Sequence, residues 1–103
     1  MQIKIEAPGH TNQAQMQAFY EEKLLNKYKK YNFIHNVDVK VAKVSGSYEV
    51  SLQIKPEGGA TLFAKDTNRS EDSALDGAIK RMNSQIERFK EKHYRSSHLN
   101  KRG

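Results

Sequence analysis

Basic side chains spaced at helical intervals near the end of the sequence could bind phosphate groups. Arg81, Gln85, Arg88 and Lys92 follow one another at three or four positions, so a helix would place them in a row on one flank. A guanidinium offers a planar fork of hydrogen-bond donors, and an ammonium adds a compact positive charge. We call this row the basic ridge, and its residue types suit phosphate oxygens and sugar hydroxyls.

The other residues of this segment separate the basic ridge from the core face of the helix. On a helical wheel centred on Met82, the apolar residues lie within about 60°, and they are Leu75, Ala78, Ile79, Ile86 and Phe89. The basic ridge lies about 60–120° to one side, with Arg95 slightly beyond it. The other side and the back carry Asp76, Glu87, Glu91, Lys80 and Lys90. A solvated helix with close charge pairs would explain the charge content, but not this sorting.

The first part of the chain predicts a strand and a helix. Ile3 and Ile5 alternate with polar residues and mark the strand. The helix should begin at a cap formed by Thr11 or Asn12 and end at about Tyr31. Its apolar residues recur at the helical period: Met16, Phe19, Tyr20, Leu24, Tyr28 and Tyr31.

Three alternating strands should fill the middle of the chain. The first contains valines within 37–41, a turn at 45–47 leads to the second at 48–54, and a Pro-Glu-Gly-Gly hairpin signal follows at 56–59. The last of the three should point Leu62 and Ala64 inward, and Thr61, Phe63 and Lys65 outward. A second helix should then begin at the cap Ser70 and end near Tyr94 and Arg95.

This order of elements, β-α-β-β-β-α, predicts an α+β domain of two layers, with a four-stranded sheet and two helices on one face. Three strands between the helices, and none after the second helix, argue against the ferredoxin-like order of RNA-recognition motifs, which ends β-α-β. We expect one domain over residues 1–95 and a short, basic, flexible tail over residues 96–103.

Composition limits the class of protein and the kind of partner. The chain has 103 residues, no cysteine and a net charge of +6, which fit one domain, a reducing compartment and an anionic partner, nucleic acid before a membrane. No apolar run approaches the roughly 20 residues of a membrane span, so we expect a soluble, cytoplasmic protein. The scattered histidines (His10, His35, His93 and His98) lack metal-ligand spacing. The sequence predicts no catalytic site, metal site, cofactor, small-molecule substrate or membrane partner.

The sequence leaves open the role of two further groups of lysines. The open face of the sheet should carry Lys4, Lys40, Lys55 and Lys65 around Phe63. RNA could bind such lysines and stack a base on the ring, but acids share this face: Glu6, Asp38 and Glu49. A solvated sheet face is therefore favoured by the residues alone. The first helix offers the same alternatives at Lys23, Lys27, Lys29 and Lys30.

The element order and the last helix together resemble the family of ribosome hibernation-promoting factors and the related ribosome-associated inhibitor, once described as sigma-factor modulation proteins. The resemblance covers about residues 1–95 and is most specific at 74–76 (Ala-Leu-Asp) and at Arg81, Gln85, Arg88, Lys90 and Lys92. The inclusion of Lys90 among these residues depends on the resemblance alone, because the wheel places Lys90 off the basic ridge. Ser84 departs from the family, which often has a basic residue there. The short hibernation-promoting type is the closer match, because the inhibitor has a longer acidic tail where this chain has Lys101 and Arg102.

The resemblance implies a fold similar to double-stranded-RNA-binding domains and a role without catalysis. Family members bind the small ribosomal subunit between its head and body, against ribosomal RNA, and silence ribosomes in starvation or stationary phase by overlapping messenger and transfer RNA. RNA contacts would then come from Arg81, Gln85, Arg88, Lys90, Lys92 and Arg95, supported by Lys23, Lys27, Lys4, Lys40 and Lys65. We expect a monomer when the protein is free. A stand-alone duplex-RNA-binding module and a regulator that binds an acidic protein are the alternatives.

Overall fold

Six elements follow one another in the predicted order in the computed structural model, which describes residues 1–7 and 13–92. They are β1 (Gln2–Glu6), α1 (Gln13–Tyr28), β2 (Ile34–Val44), β3 (Ser47–Pro56), β4 (Leu62–Asn68) and α2 (Glu71–Lys90). The predicted α+β class and the β-α-β-β-β-α order are therefore confirmed. Within the described ranges, no helix is long and apolar enough to cross a bilayer. The tail at 96–103 lies outside these ranges.

The four strands form one mixed sheet in the order β1-β2-β3-β4. β1 and β2 are parallel, because α1 supplies the long connection that a parallel pair requires. The other neighbours are antiparallel. Ser45 and Gly46 join β2 to β3 with φ angles of 48° and 80°, the two left-handed positions of a tight hairpin turn. β4 is consequently an edge strand, and its free edge lies beside α2.

The core lies between one face of the sheet and the two helices. Alternate residues of β2 and β3 are buried: Val37, Val39, Val41, Val50, Leu52 and Ile54. All of the predicted core residues of α2 are buried as well, and the most exposed of them, Phe89, shows only 6% of its surface. Phe89 packs on Phe33, with ring centroids 5.1 Å apart. The wheel analysis therefore identified the buried face of α2 correctly.

α1 differs from its prediction at its end and on one face. The helix ends at Tyr28, and not near Tyr31, because the chain turns there and the Tyr31 ring packs beside Phe33 instead, at 5.5 Å. Phe19 was grouped with the buried residues but is 48% exposed. It precedes Tyr20 by one residue, and a step of about 100° turns its side chain off the buried stripe. The predicted cap at Thr11 or Asn12 lies outside the described residues.

The start of α2 is fixed by a cap and by α1. The Ser70 hydroxyl accepts a hydrogen bond from the Ser73 N–H, as predicted for an N-cap. One residue further, the Glu71 carboxylate accepts a hydrogen bond from the Tyr20 hydroxyl of α1. Burial, and then this hydrogen bond, raise the pKa of Tyr20.

At its other end, α2 is regular to Lys90 and widens into a π-type turn at 91–92. The predicted end near Tyr94 and Arg95 lies outside the described residues.

Candidate nucleic-acid interface

The basic ridge forms one wall of a groove between α2 and β4. Arg81, Gln85, Arg88 and Lys92 all line this groove, which has a volume of about 740 Å³. The opposite wall comes from β4 and the hairpin before it: Ala60, Leu62, Phe63, Ala64 and Lys65. The structure thus brings four cations to one concave surface, and no aspartate or glutamate is among the described residues that line it. We call this surface the α2–β4 groove.

Arg88 and Lys92 are the most available cations of the basic ridge. Both are exposed, and neither has an ion-pair partner within residues 1–7 and 13–92. Their spacing places them on adjacent turns of α2, on the flank that the wheel predicted. Both charges are therefore free to meet an anion in the α2–β4 groove.

Arg81 has a partner of its own on β4. Its guanidinium lies 3.6 Å from the Asp66 carboxylate, and the Arg81 side chain is 66% exposed whereas that of Asp66 is 21% exposed. Asp66 reaches this place because it lies against Gly77, where a Cβ would overlap the carboxylate. The Asp66 carboxylate thus already balances part of the Arg81 charge, and most of the Arg81 side chain remains exposed to solvent.

Gln85 is occupied by the backbone of the edge strand. Its Oε1 accepts a hydrogen bond from the Phe63 N–H at 3.1 Å, and its Nε2 donates one to the Phe63 carbonyl. The side-chain amide thereby satisfies both backbone groups that Phe63 presents at the free edge of β4, groups that an unprotected edge would offer to another chain. Sequence reasoning missed this role. The only signal for it was the wheel angle of Gln85, which is the member of the basic ridge nearest the core face.

Lys90 lies on the opposite flank of α2 from the groove. Its ammonium is 3.8 Å from the Glu87 carboxylate and 5.7 Å from the centre of the Tyr31 ring. Lys30 approaches the same ring at 5.2 Å. The geometry agrees with the wheel, which places Lys90 off the basic ridge. The two helices thus share a second, smaller basic surface around Tyr31.

The lysines of α1 differ in their surroundings. Lys23 forms an ion pair with Asp76 of α2 at 2.8 Å and lies over the Phe19 ring at 5.7 Å. The Lys23 side chain is only 26% exposed, and its ion pair links the two helices. Lys27, one turn further, is exposed on the last turn of α1. Of the two predicted α1 contacts, Lys27 is the one with an open charge.

The open face of the sheet alternates in charge, as expected. Strand register places Glu6, Lys40, Ser51 and Lys65 in one cross-strand row. The row beside it contains Lys4, Asp38, Gln53 and Phe63. These residues and Glu49 line a second concave surface of about 560 Å³, and Lys65 lies 4.0 Å from Glu49. Lys4 and Lys40 therefore lie among acids, unlike Arg88 and Lys92 of the α2–β4 groove.

Three of the four histidines and Arg95 lie outside the described residues. The remaining one, His35, pairs with Glu57 at 3.0 Å on the surface, between the start of β2 and the hairpin after β3. In the parts of the chain that the structure describes, no three His, Cys, Asp or Glu side chains converge as metal ligands would.

Comparison with known proteins relates this fold and its basic helix to one family. Two solved structures are similar: a ribosomal subunit interface protein from Coxiella burnetii (TM-score 0.76, 18% identity, 87% of this chain and 98% of that chain covered), and the N-terminal domain of Thermus thermophilus Protein Y (TM-score 0.72, 21% identity, 86% and 99% covered). At these identities the likeness shows a shared fold. A search of curated protein sequences found no match.

A family model decides the assignment, because it was matched by sequence and not by shape. The model for sigma 54 modulation protein / S30EA ribosomal protein matches residues 3–94. This span includes the whole basic ridge and every element of the fold apart from the first residue of β1. The chain therefore belongs to the sigma 54 modulation protein / S30EA ribosomal protein family.

Proposed function

We propose that the protein binds the small ribosomal subunit and silences translation in starvation or stationary phase, by occupying the channel that messenger and transfer RNA use. Family membership and the fold shared with a ribosomal subunit interface protein support a ribosomal partner. The domain that binds would be residues 1–95, acting in the cytoplasm as a monomer. Its action requires occupancy alone, with no cofactor and no chemical step.

The observation that carries this proposal is the acid-free lining of the α2–β4 groove. Lys65, Arg81, Arg88 and Lys92 concentrate positive charge on one concave surface, whereas the acids of α2 form ion pairs elsewhere, Asp76 with Lys23 and Glu87 with Lys90. A phosphate backbone that enters the groove meets Arg88 and Lys92, which have no ion-pair partner among the described residues. It also meets Arg81 and Lys65, whose acid partners Asp66 and Glu49 lie outside the lining. Sorting of this kind favours nucleic acid over a merely solvated helix.

The predicted contacts separate into groups with different roles in this proposal. Arg88 and Lys92 would bind phosphates directly. Lys65 and Arg81 would also bind phosphates while they keep their acid partners, Glu49 and Asp66. Gln85 would hold β4 in place beside them. Additional electrostatic attraction to the RNA would come from Lys27, Lys4, Lys40 and Arg95. Lys23 and Lys90 would contribute least, because each pairs with an acid and neither lines the groove.

A co-sedimentation experiment with purified small subunits across a salt series tests the proposal. Each neutralised phosphate releases counterions, so log affinity should fall linearly with log salt. Changing Arg81, Arg88 and Lys92 together to Ala should flatten that slope by about 2–3 units. The matched control is Lys29→Ala, Lys55→Ala and Lys80→Ala, which removes the same charge from exposed positions outside the groove. Its slope should stay close to that of the unchanged protein.

Two results would contradict the proposal. Equal slopes for the groove variant and its control would show that net charge alone drives binding. Free protein in all fractions would favour the alternatives, a duplex-RNA-binding module or a regulator with an acidic partner. Neutralising the acids instead, with Glu87→Gln and Glu91→Gln, should leave affinity unchanged or slightly raised.

Inhibition measurements separate occlusion from turnover. In a translation assay with purified components, inhibition should rise in proportion to the fraction of ribosomes occupied. Excess messenger or transfer RNA should compete with the protein. Complete inhibition with far fewer protein molecules than ribosomes would contradict occlusion.

A further inference from the structure

Phe63 is an exposed aromatic residue at the border of two concave surfaces. It shows 51% of its surface, although it belongs to a strand whose neighbouring positions pack on the core. Its ring lines the α2–β4 groove on one side and the concave open face of the sheet on the other. Lys65, two residues further along the same face of β4, also lines both surfaces. A chain that left the groove over the edge of β4 would therefore pass this ring.

The backbone that carries the ring is held from the side of the basic ridge. Gln85 binds both the N–H and the carbonyl of Phe63, and Gln85 lies between Arg81 and Arg88 on α2. On its other side, Phe63 pairs with Gln53 of β3 in the ladder. The distance between the ring and the cations of the groove is thus set by regular structure on both sides.

The position of the charges indicates what the ring is suited to bind. The lining of the groove contains four cations and no acid, which suits a phosphate backbone. The sheet face beside Phe63 offers the uncharged polar groups Gln53 and Ser51 together with charges of both signs: Lys4, Lys40, Glu6, Asp38 and Glu49. An aromatic face next to cations is the combination with which proteins bind single strands, through one stacked base and its flanking phosphates. A base inside a duplex has both faces stacked and cannot use such a ring.

We infer that the α2–β4 groove binds a single-stranded RNA segment, with one unpaired base stacked on Phe63 and the adjacent phosphates on Arg88, Lys92 and Lys65. This inference rests on the proposed function and specifies its ligand as unpaired RNA. It assigns Phe63 a binding role and Gln85 a positioning role. It also selects against the duplex-RNA alternative, although the fold resembles duplex-binding domains.

The test compares three fluorescently labelled RNA probes at one salt concentration: a short single strand, a blunt duplex of the same sequence, and a strand of equal length whose bases are replaced by abasic spacers. The unchanged protein should prefer the single strand over the abasic strand, which carries the same number of phosphates. Phe63→Ala should weaken binding of the single strand by about 5- to 150-fold, the range for loss of one base–aromatic stack. Its affinity for the abasic strand should not change.

Two further variants connect the loss to stacking. Phe63→Trp should retain the affinity for the single strand, and Phe63→Leu, which keeps an apolar side chain, should lose it. Gln85→Ala should weaken binding of the single strand and leave the abasic strand unaffected, since the ring is then less well held. Circular dichroism and thermal unfolding of each variant check that the fold is intact.

The inference and the proposed function fail in different ways. Equal affinity of Phe63→Ala and the unchanged protein for the single strand would overturn the stacking role. Equal loss on all three probes would overturn it as well, because it would indicate a structural effect. The proposed function would stand in either case, as long as the protein sediments with small subunits and the groove variant shows a flatter salt slope than its matched control.

Discussion

The Tyr20 hydroxyl of α1 donates a hydrogen bond to the Glu71 carboxylate in the first turn of α2. Tyr28, two turns later on the same buried stripe, has a buried hydroxyl without a hydrogen-bond partner among the residues described. The two tyrosines are equally deep in the core, at 2% and 0% exposure. They therefore form a natural comparison of a satisfied and an unsatisfied buried hydroxyl.

We predict opposite effects when each of these tyrosines is replaced by phenylalanine. Tyr20→Phe removes a hydrogen bond to a charged group and should lower the free energy of unfolding by about 1.5–3 kcal/mol. Tyr28→Phe removes a polar group that costs free energy to bury and should leave stability unchanged or raise it. Urea unfolding of both variants measures the difference. A larger loss for Tyr28→Phe than for Tyr20→Phe would contradict the assignment.

Alkaline conditions should destabilise the protein through the same two residues. Burial is the main cause that raises the pKa of both, with the Glu71 hydrogen bond adding to it at Tyr20. In the unfolded chain tyrosine ionises near pH 10, so the stability that depends on the neutral form is complete below that pH and is lost above it. The free energy of unfolding should fall by up to about 1.4 kcal/mol per pH unit for each tyrosine.

The double variant Tyr20→Phe with Tyr28→Phe is the control for this pH dependence. Lysines also lose their charge at alkaline pH, but they do so in both proteins. Urea unfolding at a series of pH values above 9 should therefore give a steeper decline for the unchanged protein. Parallel declines would show that the tyrosines are not responsible.

Truncation of Phe89 should be costly. Its ring is 6% exposed, packs on Phe33, and fills the space beside Gly59, where a Cβ would overlap it. Phe89→Ala should lower the free energy of unfolding by about 3–5 kcal/mol. Phe19→Ala, which truncates a half-exposed aromatic residue, should cost less than about 1 kcal/mol. Similar losses for the two variants would mean that the buried faces are wrongly assigned.

Gln85 should protect the free edge of β4. The Phe63 N–H donates to Oε1 of Gln85, so Gln85→Ala should accelerate hydrogen exchange of the Phe63 amide, measured by NMR. Amides of β3 in the interior of the sheet should be unaffected. Ser84→Ala is the matched control, because Ser84 lines the same groove without this contact. Unchanged exchange at Phe63 in the Gln85 variant would contradict the protective role.

Lys90 and Lys92 should differ in their effect on RNA binding, although they are two residues apart. Lys92 lines the α2–β4 groove, whereas Lys90 pairs with Glu87 on the other flank. Lys92→Ala should reduce the slope of log affinity against log salt by somewhat less than about 1 unit, and Lys90→Ala should leave it unchanged. Binding to small subunits in a salt series provides the measurement. A reduced slope in the Lys90 variant would instead support the role that the family resemblance implies.

Periodicity, together with turn and cap signals, was sufficient to predict the element order, and periodicity alone predicted the core face of α2 and the flank that carries the basic ridge. These features depend on repeated spacing along a single element, which the sequence displays directly. The exposure of Phe19 was missed because it was included among the apolar residues that recur at the helical period, although its wheel angle lies off the stripe of Tyr20 and Leu24. The end of α1 was placed too late because Tyr31 packs on the core from the connection and not from the helix.

Contacts between elements could not be predicted in the same way. The wheel gives the direction of Gln85 but not the strand edge that it meets, because strand order and register depend on long-range pairing. The ion pair of Arg81 with Asp66 depends on the space left by Gly77 on α2, opposite β4. Lys23 and Asp76 are brought together by the packing of two helices that are far apart in sequence. The two ion pairs engage charged side chains for which the sequence alone indicates no partner.

Asp66 restricts the conformations of Arg81 before any anion arrives. A free arginine side chain carries about 2 kcal/mol of rotamer entropy, and one held 3.6 Å from a carboxylate has already lost part of it. Gly77 makes this possible, although glycine within a helix costs about 1 kcal/mol relative to alanine. In the proposed binding, part of the entropic cost of ordering Arg81 would thus be met during folding. A preorganised guanidinium favours affinity at the expense of the stability of the free protein.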